Sequence, residues 1–201
     1  MSKLSLNKII NSVGLDEAGR GAWAGPVVAA AVYINSDTNI NGIDDSKKLS
    51  PVKREKLYDL IMANHVVGIG IANVKEIDEL NILQATILAM KRSLENLAYS
   101  PDLVLVDGNY NPNLGVKSEA IIGGDAKYES IAAASIIAKV TRDRILKKMS
   151  IEFPGYSWDK NFGYGTKDHI KGLDSLGVNE HHRKTYKPIK DRVELRLFDF
   201  V

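Results

Sequence analysis

The chain has 201 residues, 44% of them hydrophobic and 26% charged, which suits a soluble globular domain with a sizeable core. It contains no cysteine, so disulfides and thiolate metal sites are excluded, and its longest apolar run, Val27–Ile34, is too short to cross a bilayer. The net charge of +2 is unevenly spread: residues 1–138 hold 13 Lys and Arg against 16 Asp and Glu, while residues 139–201 hold 14 against 9. An acidic body beside a basic final third fits a polyanionic partner. Residues 1–10 lack the apolar core of a signal peptide, so the expectation is an intracellular, cytoplasmic protein with no membrane contact.

In chain order, five apolar runs rich in β-branched residues predict strands at Ser12–Asp16, Val27–Ile34, Val66–Ala72, Leu103–Asp107 and Glu119–Ile122. Leu103–Val106 is apolar on both faces, as a strand covered by helices on each side must be. Ser50-Pro51 forms an N-cap and N1 pair that opens a helix to about Ala63. Leu80, Leu83, Ile87, Leu88, Met90, Leu94 and Leu97 lay an apolar stripe along a helix that ends near Ala98. Residues 130–149 give the longest helix, apolar early and basic late, and 166–176 a shorter one stopped by Gly177. Strands early and helices alternating later predict an α/β layered domain around a mixed five-stranded sheet. Residues 1–152 form that domain, and 153–201, rich in Gly, aromatic and basic residues, form a small helical appendage packed on it.

Chemistry gathers at strand ends. Asp16 and Glu17 close the first run and are followed at once by Gly19-Arg20-Gly21, where glycines let the backbone come close to a ligand. Asp107 ends the fourth run before Gly108, and Asp125 follows Gly123-Gly124 after the fifth. Taken singly, Asp125 fits a helix N-cap and Asp107 a strand-to-turn residue. Taken together, four acids where ligands collect in open α/β sheets form an all-oxygen site suited to Mg²⁺ or Mn²⁺ rather than zinc. Successive strand residues point to opposite faces, so Asp16 and Glu17 can share one ion only if the strand bulges or twists at Glu17. Asp16 is the firmer ligand.

Several segments closely resemble the ribonuclease HII family: Asp16–Gly21 with Ala24–Val32, Asp45–Ser50, Val106-Asp107-Gly108, Gly124–Lys127, Ser130–Arg144 and Gly163–Lys167, in order across about residues 12–192. The resemblance implies a ribonuclease H-like fold and endonucleolytic cleavage of RNA in RNA–DNA hybrids, with a cut 5′ to single ribonucleotides embedded in duplex DNA. It further implies two divalent ions, Asp16 and Asp125 as principal ligands, Glu17 and Asp107 completing the set, and products with a 3′-hydroxyl and a 5′-phosphate. Gly19, Arg20, Gly21 and Tyr164 would read the RNA–DNA junction, with Lys47 and Lys48 on phosphates. The protein is expected to act as a monomer on hybrids and on ribonucleotide-containing duplex DNA. Ala22-Trp23 and Thr185-Tyr186 stand where the family usually has Pro with an aliphatic residue and Ser-Phe.

Arg142, Arg144, Lys147 and Lys148 read as a solvated helix face. His181-His182-Arg183 reads as structural or phosphate-side rather than catalytic. Tyr156, Trp158 and Phe162 read as a small aromatic core, with Tyr164, between two glycines, as the exception. Two other readings stay open: a metal-dependent DNA endonuclease of the same superfamily, of the junction-resolvase type, and a non-catalytic nucleic-acid-binding module. Cleavage of an all-DNA junction would select the first, and absence of metal-dependent turnover the second.

Overall fold

The structure is a computed structural model that describes residues 11–35, 40, 42–43, 46 and 49–198, with backbone alone at 195–198. Lys47 and Lys48 lie outside the described residues.

Five strands form one mixed sheet: β1 (Ser12–Ala18), β2 (Val27–Tyr33), β3 (Val66–Ala72), β4 (Leu103–Asp107) and β5 (Ser118–Ile121), in the order β3-β2-β1-β4-β5. The β1–β2 and β2–β3 pairs are antiparallel, whereas β1–β4 and β4–β5 are parallel. The sheet thus begins as a meander and ends as parallel strands; helices lie in the chain between β1 and β4, whereas residues 108–117 join β4 to β5 without one. β1 runs two residues beyond the predicted end at Asp16, and its pairing continues through Glu17↔Ala29 and Ala18↔Val28. The predicted bulge at Glu17 is absent; regular pleating holds, and its consequence appears at the site.

The helices are α1 (Pro51–Asn64), α2 (Val74–Leu80), α3 (Ile82–Glu95), α4 (Glu129–Glu152), the single turn α5 (Trp158–Asn161), α6 (Lys167–Leu176) and α7 (Lys187–Phe198). Their starts are written in local chemistry. Ser50 caps α1 by accepting from Lys53 N, with Pro51 in the first turn, and Thr166 caps α6 by accepting from His169 N. The stripe read from Leu80 to Leu97 is broken at its first member. Leu80 closes α2, which is opened by an Asn73–Glu76 capping box, and Asn81, at φ 69°, turns the chain and caps α3 with its own side chain.

Helices cover both faces. α3 packs on β2 and β3, where added Cβ atoms on Gly68 and Gly70 would each fall 2.0 Å from a helix carbonyl oxygen, Ser93 O and Ala89 O. On the opposite face, Gly14 lets the start of α4 settle onto β1, since a Cβ there would meet the Ser130 carbonyl carbon at 2.1 Å. α4 then buries Ile131, Ile136 and Ile137 completely, each contributing roughly 1.5–3 kcal/mol of apolar burial. A third cluster joins Ala24 and Leu146 to Tyr156, Trp158, Leu173 and Ile189, so the C-terminal segment packs on the loop after β1 and on the late turns of α4. Among the described residues no helix is long and apolar enough to cross a membrane.

Candidate active site

Because β1 is regular, Asp16 and Glu17 face opposite sides of the sheet. Asp16 is buried on the α4 side and is bonded by Ser135, whose Oγ lies 2.7 Å from Ser46 Oγ; its Oδ1 accepts from Glu17 N at 2.7 Å. Glu17 points to the α3 side, into a hollow lined by Leu83, Thr86, Met90, Asp107 and Tyr110. There its Oε1 pairs with Arg20 Nη1 at 3.2 Å.

Asp107, at the end of the neighbouring parallel strand, accepts from Gly124 N at 2.8 Å. This bond ties β4 to the 3-10 turn Gly124–Ala126 that carries buried Asp125. The N-cap reading of Asp125 is excluded, since α4 begins four residues later with Tyr128 as its cap.

Burial first, then the nearby charges of Glu17 and Asp107, hold the Asp16 carboxyl well above its ordinary pKa. Three of the four predicted acids therefore share one electrostatic environment, and the fourth sits on the turn bonded to Asp107. Among the described residues no three His, Asp or Glu side chains already stand as a ready metal cluster. The donor set still fits a hard divalent cation: it is all oxygen, and a buried carboxylate lies within the field of two others.

The Gly-Arg-Gly loop is held from beneath. Arg142, expected on a solvated face, is 1% exposed; it donates to the carbonyls of Pro26 (2.9 Å), Ala24 (3.1 Å) and Phe162 (2.9 Å). Its helical spacing from Ala134, Ala138 and Leu146 places it on the buried side, a signal that its charge conceals. Arg183, fully buried, donates to Arg20 O (2.9 Å), Gly25 O (2.9 and 3.0 Å) and Pro26 O (3.2 Å). Tyr186, where the family usually has Phe, adds its hydroxyl to Arg20 O. Sequence reasoning missed both buried arginines as loop clamps.

The second loop, Gly163-Tyr164-Gly165, meets the first. Trp23 N and Ala24 N donate to Gly163 O at 2.8 and 3.2 Å, and a Cβ on Gly165 would fall 2.1 Å from the Trp23 ring. A Cβ on Gly21 would lie 3.9 Å from Cε1 of Tyr164. Tyr164 is 40% exposed, whereas Tyr156 and Trp158 join the aromatic core and Phe162 packs against it, as expected. The structure therefore brings Gly21 and Tyr164 side by side a few residues beyond the carboxylates. His182 is buried beside His169, consistent with a structural role. Of the DSKK loop, Ser46 is buried against Ser135, and Arg54 holds Ser46 O and Leu49 O at 2.7 and 2.6 Å.

Comparison with known proteins gives the family. The ribonuclease HII family profile matches residues 13–189. Ribonuclease HII of Burkholderia thailandensis is 52% identical over 183 residues, spanning 90% of this chain and 86% of that protein. Among solved structures, ribonuclease H2 from Pyrococcus horikoshii OT3 superposes with a TM-score of 0.76 at 29% identity, covering 92% of this chain and 97% of that one. Ribonuclease HII of Archaeoglobus fulgidus, solved as a complex with PCNA, superposes with a TM-score of 0.73 at 26% identity, covering 88% and 95%. The chain belongs to the ribonuclease HII family and is an endoribonuclease, a hydrolase with ribonuclease H activity.

Proposed function

We propose that this enzyme cuts the RNA strand of hybrids and also cuts 5′ to single ribonucleotides embedded in duplex DNA, leaving a 3′-hydroxyl and a 5′-phosphate. Asp16 and Asp125 are the principal ligands of two Mg²⁺ or Mn²⁺ ions, and Glu17 and Asp107 complete the set. When bound, such ions neutralise the carboxylates and supply an activated water and leaving-group stabilisation for in-line displacement at phosphorus. The carboxylates' part is to hold that charge at the strand ends, and no histidine nucleophile is needed.

The only chemical handle on one ribonucleotide in DNA is its 2′-hydroxyl, which both donates and accepts hydrogen bonds. Backbone groups of Gly19-Arg20-Gly21 approach the sugar where no Cβ intervenes. The Tyr164 hydroxyl adds a hydrogen bond, and its ring packs on the next deoxyribose. Lys47 and Lys48, beyond the anchored Ser46, contact phosphates, and residues 153–201 act as the substrate-binding appendage. The observation that supports this reading is the placement of Gly21, three residues past the end of β1, so that a Cβ on it would lie 3.9 Å from the exposed Tyr164 ring.

The test is the cleavage rate on a duplex with one ribonucleotide and on a duplex with several in a row, with Mg²⁺ or Mn²⁺ and an all-DNA control. Tyr164→Ala is expected to lose single-ribonucleotide cleavage far more than Tyr164→Phe, and Gly21→Val to lose it as well. A wild-type rate for Tyr164→Ala on the single-ribonucleotide duplex overturns the junction-reading role.

A further inference from the structure

We propose that His169 is a positioning residue for Tyr164, and that Trp158 and His182 act by fixing which ring nitrogen of His169 carries its proton. The inference rests on the reading of Tyr164 given above. His169 is fully buried in the first turn of α6, with Nδ1 3.0 Å from Tyr164 O. A carbonyl oxygen only accepts, so Nδ1 must carry the proton and Nε2 must be a lone pair. The indole Nε1–H of Trp158, which only donates, meets that lone pair at 3.2 Å. The opposite tautomer would set two N–H groups head to head at Trp158 and two acceptors face to face at Tyr164.

His182 closes the arrangement. Its Nε2 lies 3.1 Å from His169 Nε2, whose one lone pair already faces Trp158, so a proton on His182 Nε2 shares that lone pair in a three-centre bond and leaves its own Nδ1 to accept from Asn179 N at 3.1 Å. Asn179 Oδ1 lies 2.8 Å from that same nitrogen, and Asn179 Nδ2 is buried with no partner among the described residues. Turning the amide puts Nδ2 on the lone pair, at the cost of the 3.0 Å bond from His181 N to Oδ1. Burial keeps both imidazoles neutral at ordinary pH, so the proton arrangement is set by partners rather than by titration.

The result is a backbone pinned on every side. Tyr164 O accepts from His169 Nδ1 and from Thr166 N (2.8 Å), and Tyr164 N donates to Asn161 O (2.9 Å). Gly163 O is held by Trp23 N, and Arg142 lies 5.6 Å from the centre of the Tyr164 ring. Only the ring remains free to meet a sugar. A pre-placed ring favours the substrate that depends on it, the single ribonucleotide, over a run of ribonucleotides.

The test exploits amide geometry: His169→Asn places a donor near the position of Nδ1, whereas His169→Gln places it near Nε2. The readout is the ratio of the single-ribonucleotide rate to the several-ribonucleotide rate, which general loosening of the fold leaves unmoved. His169→Gln is expected to lower the ratio roughly tenfold or more, as small misplacements near a reacting group do. His169→Asn is expected to restore most of it, and neither change should move the ratio further in a Tyr164→Ala background. Trp158→Phe, which keeps an aromatic ring but removes the indole donor, should lower the ratio in the same direction and serves if His169→Gln fails to fold. Equal loss on both substrates, with the ratio kept, reduces His169 to packing and overturns the inference. If Tyr164→Ala lowers the ratio and these variants do not, the inference alone fails; if Tyr164→Ala leaves the ratio unchanged, the reading of Tyr164 fails with it.

Discussion

Arg142 lies so close beneath Gly19 that a Cβ on that glycine would sit 1.9 Å from the guanidinium Nε. Gly19 also has φ +99°, where L side chains are strained, so two separate constraints require glycine here. The arginine in turn has no room to move. Its burial, and then the charge of Arg183, lower its pKa to about 10, which still leaves it charged at neutral pH.

The first prediction follows from that contact. Arg142→Lys keeps the charge but loses the planar fork that reaches the carbonyls of Ala24, Pro26 and Phe162. With hydrogen bonds to charged groups contributing ~1.5–3 kcal/mol each, and lysine reaching fewer of the three acceptors, the expected destabilisation is ~2–4 kcal/mol. Gly19→Ala should also destabilise, through the clash and the positive φ. Urea unfolding measures both, and a change in either variant below ~0.5 kcal/mol, the scale of an ordinary surface substitution, would mean that the loop is not clamped by Arg142.

The sheet and α4 were legible in the sequence because apolar period and strand length are strong, local signals. Val66–Ala72 and Leu103–Asp107 appear with the predicted bounds. The break at Asn81 was hidden because Leu80 has the right spacing for the following helix but belongs to the preceding one; positive φ at an asparagine has no apolar signature. The bulge expected at Glu17 came from requiring both acids to face one point. Ordinary pleating instead sends Asp16 toward Ser135, on the face that the parallel register gives to Asp107 as well, and Glu17 toward Arg20 on the other. The clamps were illegible for another reason: a buried arginine satisfied by carbonyl oxygens has no acidic partner in the sequence to announce it.

The second prediction concerns acid. Burial, and then the neighbouring His169, lower the His182 pKa from 6.5 to about 3. The unfolded chain takes up that proton before the folded one does. Stability is therefore fully present above the unfolded value and is lost as pH falls from about 6.5 toward about 3, at up to ~1.4 kcal/mol per pH unit from this group. His182→Gln removes the titrating group, so its stability should be lower at neutral pH but fall less steeply in acid. Urea midpoints across that window provide the comparison. Parallel slopes for wild type and variant would assign the acid sensitivity to other groups.

The third prediction separates the chemistry of Asp16 from its cost to the fold. Burial, together with the charges of Glu17 and Asp107, raises its folded pKa above the unfolded value of 3.8. For an acid shifted this way, the favourable contribution is complete below the unfolded pKa and is lost as pH rises through the folded one. At neutral pH the ionised carboxylate is thus a burden on the metal-free protein. Asp16→Asn keeps an oxygen that can accept from Glu17 N, where the present bond is 2.7 Å, and deletes the charge. The metal-free variant is therefore expected to be more stable than wild type by on the order of 1 kcal/mol, or ~2–4 °C in Tm for a chain of this size. The advantage should shrink as pH is lowered, because wild-type Asp16 then takes up a proton. Mg²⁺ or Mn²⁺ should raise the wild-type Tm by mass action and the variant's far less, since the proposed reading makes Asp16 a principal ligand. Cleavage should fall by roughly a hundredfold or more, the scale expected for loss of a transition-state electrostatic contact. Thermal melts with and without each ion, beside single-turnover cleavage, give all three readings on the same preparation. Near-normal cleavage with a normal metal-induced rise in Tm would remove Asp16 from the ligand set, whatever the stability of the metal-free form.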